Sequence, residues 1–134
     1  RPDMALYKFV KSIVDNKNIY LFNKGNHVRD FTYIDDVLDY LIKLLNKLPK
    51  NKENFQILNI SNSVPKNLKK YLTTIENTLE KKSKKNLLPM QKGDVLKTHG
   101  NNNKLVKISG RIKPTSLEIG ISRYLEWIKN FYGK

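Results

Sequence analysis

The chain contains no cysteine, so neither a disulfide framework nor a thiolate metal site is available to it. Glycine is sparse: there are six, and no two lie closer than seven positions. That spacing excludes both the G-x-G-x-x-G fingerprint and the P-loop. No G-x-S-x-G elbow occurs either. No apolar run approaches the ~20 residues needed to cross a bilayer, and no signal-peptide pattern opens the chain. Membrane association is therefore not expected, and a cytoplasmic setting is. The histidines, His27 and His99, have no cysteine or acidic partner at metal-ligand spacing, so no metal site is expected. The chain opens Arg1-Pro2-Asp3 without an initiator methionine, as a fragment or a processed chain would.

Arginine is also scarce, with four residues beside 22 lysines, and asparagine reaches 16. The formal charge of +14 admits two explanations. One is a stand-alone basic module that binds nucleic acid. The other is drift, because an A/T-rich coding sequence enriches Lys and Asn whatever the function. Nucleic-acid readers favour arginine, whose planar fork matches phosphate and guanine edges. The lysines here are dispersed, and only Lys81-Lys82-Ser83-Lys84-Lys85 forms a cluster. Drift is the expectation, with no nucleic-acid partner.

At 134 residues the chain can build one domain with a modest core. Residues 2 to 16 predict a helix, with Pro2 at its first turn and Met4, Ala5, Phe9, Val10 and Ile13 on its apolar face. Ile19 to Phe22 predicts a short strand, Asn23-Lys24-Gly25-Asn26 a turn, and Phe31 to Ile34 a second extended stretch. Asp35 or Asp36 is the expected N-cap of a helix running to about Leu48. Its apolar face would hold Val37, Leu38, Leu41, Ile42, Leu45 and Leu48, and Pro49 would stop it before a polar loop, Lys50 to Asn54. Phe55 to Ile60 predicts a buried strand. A helix follows from about Asn67, with the lysine cluster as its solvated end and loop. Residues 86 to 103 predict irregular structure, then a short helix over Lys104 to Ser109. Thr115-Ser116-Leu117-Glu118 has the capping-box pattern and opens a last helix carrying Ile121, Tyr124, Leu125 and Ile128. The expected class is mixed α/β, about four main helices with short strands, without the regular alternation of a complete doubly wound domain.

Tyr-x-x-x-Lys, which can set a phenol and an ammonium on one helix face for acid/base work, occurs at Tyr7/Lys11 and Tyr20/Lys24. At this tyrosine and lysine content roughly one match arises by chance. Tyr20/Lys24 lies on a predicted strand and turn, and no cofactor fingerprint precedes Tyr7. Both are expected to be coincidental, and no catalytic residue is expected in this chain.

"RPDMAL", "FNKGNHVRDFTYIDDV", "LNISNSVP", "LPMQKGDVLKT" and "IKPTSLEIGISRYLEWIKNFY" occur in that order. Together they resemble the carboxyl-terminal part of NAD-dependent nucleotide-sugar epimerases of the extended short-chain dehydrogenase/reductase family. "RDFTYIDD" is shared by many of its epimerases and dehydratases. "RPDMA" and "LPxQxGDV" are narrower and resemble the UDP-glucuronate 4-epimerase branch. The resemblance implies a UDP-sugar-binding domain over 1–134. NAD and the catalytic tyrosine would belong to an amino-terminal Rossmann half outside this chain. The reaction would be transient oxidation at C4, and this portion alone would be inactive. It also implies a homodimer for the whole enzyme. A related sugar-nucleotide dehydratase or decarboxylase is the alternative within enzymes.

The same resemblance implies a substrate site. Arg29 would grip the diphosphate, since a planar cationic fork suits phosphate oxygens. Its other reading is pairing with Asp30, Asp35 or Asp36, which would otherwise cap and orient the helix. Tyr20, Leu21 and Phe22 match the uracil-contacting segment, Phe22 supplying the ring unless it is core. Asp94 matches the acidic residue for ribose hydroxyls unless it caps the following turn. Gln91 stands where many relatives carry a phosphate-gripping arginine, which places more of that work on Arg29. Arg1 matches the arginine of the "GRPDM" motif, near the sugar.

Overall fold

The computed structural model describes residues 2–47 and 55–132. Arg1, Leu48, Pro49 and the Lys50 to Asn54 loop lie outside the described residues. Five helices and four short strands make up the described chain, in two compact units.

The first unit comprises the residues up to Val28, Lys66–Lys97 and those from Ser116 onward. Helix α1 (Ala5–Val14) buries Phe9, Val10 and Ile13, spaced to share one face. It is shorter than the expected 2–16, and Met4 is its exposed N-cap residue, not part of the core. Strand β1 (Asn18–Leu21) alternates strictly, Ile19 and Leu21 inward and Asn18 and Tyr20 outward, as the two-residue strand period requires. Helix α3 (Leu68–Thr78) is capped by Asn67, whose side chain accepts from the Lys69 backbone N–H at 2.8 Å. Tyr71, Leu72 and Ile75 are buried on it, and burial pushes the Tyr71 phenol pKa upward, with Tyr124 adding to the rise. Helix α5 (Leu117–Tyr132) packs on α3 through Ile121 and Leu125. Its cap differs from the expected box by one position: the Ile119 N–H donates to the Ser116 hydroxyl at 3.3 Å, so Ser116 performs the capping expected of Thr115.

Strand β4 (Lys84–Leu87) runs parallel to β1, with Asn18 opposite Lys84 and Leu21 opposite Leu87. Residues 86–103 are thus not irregular from their start, and the lysine cluster is not simply a loop, since Lys84 and Lys85 lie in this strand. Every β4 side chain is exposed, so the strand carries no apolar alternation to announce it. The two-residue strands β2 (Val28–Arg29) and β3 (Lys66–Asn67) complete the set.

The second unit comprises Arg29–Pro65 and Thr98–Thr115. Helices α2 (Ile34–Leu45) and α4 (Asn103–Ser109) pack together, with Tyr40 and Leu105 buried. The N-cap of α2 is Tyr33 and has no side-chain cap bond; Asp35 and Asp36 sit in the first turn. The expected apolar face of α2 is not a core face here. Leu38, Leu41, Ile42 and Leu45 are exposed, and Asp36 and Tyr40 are the residues it buries. Residues 55–60 form no strand, and Ile57 is 78% exposed. An extended segment becomes a strand only when a neighbour pairs with it, and no described residue does so here.

Candidate functional site

The alternation of β1 sorts the three residues expected near uracil. Tyr20 is 56% exposed and Leu21 is 2% exposed, a core residue whose carbonyl accepts from the Leu88 N–H at 3.0 Å. Phe22 is half-buried. Tyr20 and Phe22 line an open cleft of about 780 Å³ with Phe9, Ile19, Lys8, Lys17 and Lys84, so ring surface and positive charge meet there.

The chain then turns tightly. Asn23 and Lys24 take left-handed conformations at φ 49° and 51°, followed by Gly25 at φ 76°. Asparagine tolerates that region, and glycine occupies it without a Cβ penalty. A Cβ on Gly25 would also press on the Lys69 side chain at 3.1 Å. The turn is tied to the segment after β4: the Asn23 N–H donates to Pro89 O at 3.3 Å and the Lys24 N–H to Leu88 O at 3.0 Å. Farther along, the Val28 N–H donates to Leu96 O at 2.9 Å, and Val28 bridges Lys97 in parallel. Two segments distant in sequence, 21–28 and 88–97, are therefore clamped together at both ends.

Between those clamps lie Gln91 and Asp94. The Asp94 N–H donates to Gln91 O at 3.3 Å across a turn with Gly93 at φ 80°, the backbone region that favours glycine. Gln91 is exposed. The Asp94 carboxylate accepts from the Val95 N–H at 2.9 Å through Oδ1, and its Oδ2 lies 3.0 Å from His27 Nε2. The first contact is the turn-capping alternative, realised on one oxygen. The second involves a residue that sequence reasoning passed over. His27 is 3% exposed, and its Nε2 has no well-aligned hydrogen bond, so the contact with Asp94 is close but off the N–H direction. Nothing in the local sequence marks it, because a histidine after Gly25-Asn26 has the look of an ordinary loop residue.

In the second unit Arg29 is half-buried at the end of β2. The chain beyond it is pinned by polar contacts. Asp30 Oδ2 accepts from the Ser63 N–H at 3.1 Å and the Gly100 N–H at 2.9 Å, while the Asp30 N–H donates to Thr98 Oγ1 at 3.3 Å. Thr32 Oγ1 accepts from the Asn62 N–H at 3.1 Å, and the Ser61 hydroxyl donates to Gly100 O at 2.9 Å. Gly100 is sterically required, since a Cβ there would sit 2.4 Å from the Ser61 side chain. Asp36, 5% exposed, accepts from the Thr115 hydroxyl at 2.6 Å and the Thr115 N–H at 2.9 Å. Asp30 and Asp36 thus orient neighbouring loops, in place of the helix capping expected of them. Arg1 lies outside the described residues.

One further charge cluster sits away from these loops. Glu76, 3% exposed, accepts from Lys85 Nζ at 2.7 Å and from the Ser83 N–H at 2.8 Å and hydroxyl at 2.5 Å. Burial alone would raise its pKa, but the hydrogen bonds from Lys85 and Ser83 outweigh it and hold the carboxyl below its ordinary value. Lys85 therefore has a structural partner. Of the two Tyr-x-x-x-Lys matches, Lys11 is committed to Asp15 at 3.3 Å, and Tyr20/Lys24 spans a strand and a left-handed turn.

Among the described residues no group of three or more His, Asp or Glu side chains could hold a metal ion, and no helix is long and apolar enough to cross a membrane. Among the described residues the left-handed glycines, Gly25, Gly93 and Gly110, stand singly in turns and form no cradle for a dinucleotide pyrophosphate.

Residues 1–61 match the family model described as the NAD dependent epimerase/dehydratase family. UDP-glucuronate 4-epimerase 5 of Arabidopsis thaliana is 34% identical over 145 residues, covering 98% of this chain and 33% of that protein. Protein CapI of Staphylococcus aureus is 34% identical over 148 residues, covering 100% of this chain and 44% of that protein. The crystal structure of UDP-glucuronic acid 4-epimerase from Bacillus cereus in complex with UDP-glucuronic acid and NAD is 27% identical, with a TM-score of 0.83 over 98% of this chain and 41% of that one. The chain spans less than half the length of the curated relatives it matches. The likenesses to the Arabidopsis and Bacillus cereus epimerases each cover 98% of this chain, and the chain belongs to the NAD dependent epimerase/dehydratase family.

Proposed function

We propose that this chain is the substrate-binding portion of a UDP-sugar 4-epimerase that interconverts UDP-glucuronate and UDP-galacturonate by transient oxidation at C4. The observation that carries the reading is the likeness to the Bacillus cereus enzyme, whose complex holds UDP-glucuronic acid and NAD, over 98% of this chain. In this reading Arg29 grips the diphosphate, the rings of Tyr20 and Phe22 offer apolar surface to uracil, and Asp94 accepts from the ribose hydroxyls. Gln91 flanks the phosphates without charge, and the sugar is the part of the substrate assigned to Arg1, a residue outside the described ones. Leu21 contributes the core packing that holds the strand. NAD supplies the hydride acceptor and donor when bound. In this reading that cofactor and the catalytic tyrosine belong to the remainder of the enzyme, and this portion alone does not turn over. Incubating the intact enzyme and NAD with UDP-glucuronate, and resolving the products by chromatography, tests the reading. UDP-galacturonate is the expected product. A 4,6-dehydrated or decarboxylated sugar, or unchanged substrate, would reject it.

A further inference from the structure

We infer that His27 is a positioning residue for nucleotide binding: a buried imidazole that holds the Asp94 carboxylate in the orientation that accepts the ribose hydroxyls. The inference rests on the reading of Asp94 as the ribose acceptor. His27 sits within the first unit, 3% exposed, with Nε2 3.0 Å from Asp94 Oδ2. Its backbone is held on both sides. The His27 carbonyl accepts from the Leu68 N–H at 2.8 Å, at the first turn of α3, and the next residue's N–H donates to Leu96 O at 2.9 Å. The backbone that carries the imidazole is therefore held by α3 and by Leu96, and the ring itself is buried.

Asp94 has the complementary character. It is only partly covered, at 30% side-chain exposure, and sits on a turn containing Gly93. A carboxylate on such a turn has soft torsions, and orientation must come from its contacts. The Val95 N–H takes one lone pair of Oδ1, and His27 addresses Oδ2. A carboxylate offers about four acceptor sites on two oxygens, which lets one group both take a backbone N–H and meet a ligand hydroxyl. A vicinal diol needs both acceptor directions fixed, and a buried imidazole 3.0 Å from the carboxylate is placed to limit its rotation. The off-axis geometry of the Nε2 contact fits a pair that tightens when the outer face of the carboxylate is occupied.

The test measures UDP and 2′,3′-dideoxy-UDP binding to the intact enzyme by calorimetry, in wild type, Asp94→Asn, His27→Leu and His27→Gln. Wild type is expected to prefer UDP by roughly tenfold or more, the scale of charge-assisted hydrogen bonds to both hydroxyls. Asp94→Asn and His27→Leu should each reduce that preference to within about twofold. His27→Gln, which restores an N–H donor near the Nε2 position, should recover most of it. A residue that merely fills space would weaken both nucleotides alike and would not be rescued selectively by glutamine. If Asp94→Asn abolishes the preference while both His27 variants retain it, the positioning role is overturned and the ribose reading stands. If Asp94→Asn leaves the preference intact, both fall together. Should His27→Leu not fold, the glutamine variant decides: loss of the preference despite a retained donor overturns the proposal.

Discussion

At the scale of single residues, buried carboxylates do more of the work than their exposed surroundings suggest. Glu76 is held ionised by Lys85 and Ser83. Its folded pKa is depressed below the ordinary value of 4.5, so its contribution is present above that pH and is lost as pH falls through the lower folded value. Glu76→Gln should cost about 1–3 kcal/mol near neutral pH in urea denaturation. The gap between variant and wild type should close as pH drops below 4.5. Asp36 makes a similar case, with two hydrogen bonds from Thr115. Asp36→Ala should cost about 2–4 kcal/mol by the same measurement, because Thr115 would keep a donor pair without an acceptor. Neither role was legible in the sequence. Asp36 stands beside Asp35 in a motif that looks like helix capping, and its partner is 79 residues away. Glu76 has the spacing of a surface helix residue, and its partners are Ser83, just before β4, and Lys85, on that all-exposed strand with no apolar pattern. Arg29, Asp94 and Phe22 were singled out because ordered motifs carried them. His27 was not, since long-range burial leaves no local trace.

At the scale of elements, periodicity and cap signals located the five α-helices among the described residues and missed features that depend on a neighbour. Asn67 was the expected start of α3 and is its cap; Asn67→Ala should lower stability by about 1 kcal/mol, measurable by thermal melting. The apolar positions of α2 were recognised correctly as a face, yet Leu38, Leu41, Ile42 and Leu45 remain exposed. The pattern reports what a helix is built to bury, and the partner must come from elsewhere. The same holds for Phe55 to Ile60, whose composition suits a strand but which has no pairing edge among the described residues. Ile42→Lys with Leu45→Lys should leave the melting temperature of the isolated 134-residue chain nearly unchanged while reducing its binding of an apolar dye. A large loss of stability would show that the face is already packed. Strand β4 went unrecognised for the opposite reason: Lys84-Lys85-Asn86-Leu87 pairs through its backbone alone.

At the scale of the whole molecule, composition pointed to charge and motif order pointed to function. The +14 charge is dispersed over a fold shared with nucleotide-sugar enzymes, and several lysines have local tasks: Lys85 on Glu76, Lys81 on the Val14 carbonyl at 3.1 Å, Lys47 on the Ile108 carbonyl at 2.7 Å. In the proposed reading Arg29 is the position where an exchange of arginine for lysine would matter most, since a planar fork on a diphosphate is not equivalent to a point charge. Calorimetry of UDP binding to the intact enzyme, wild type against Arg29→Ala, tests that claim most directly. The account predicts a loss of about 1.5–3 kcal/mol, roughly 10- to 150-fold in Kd. Equal affinity in the two proteins would contradict it.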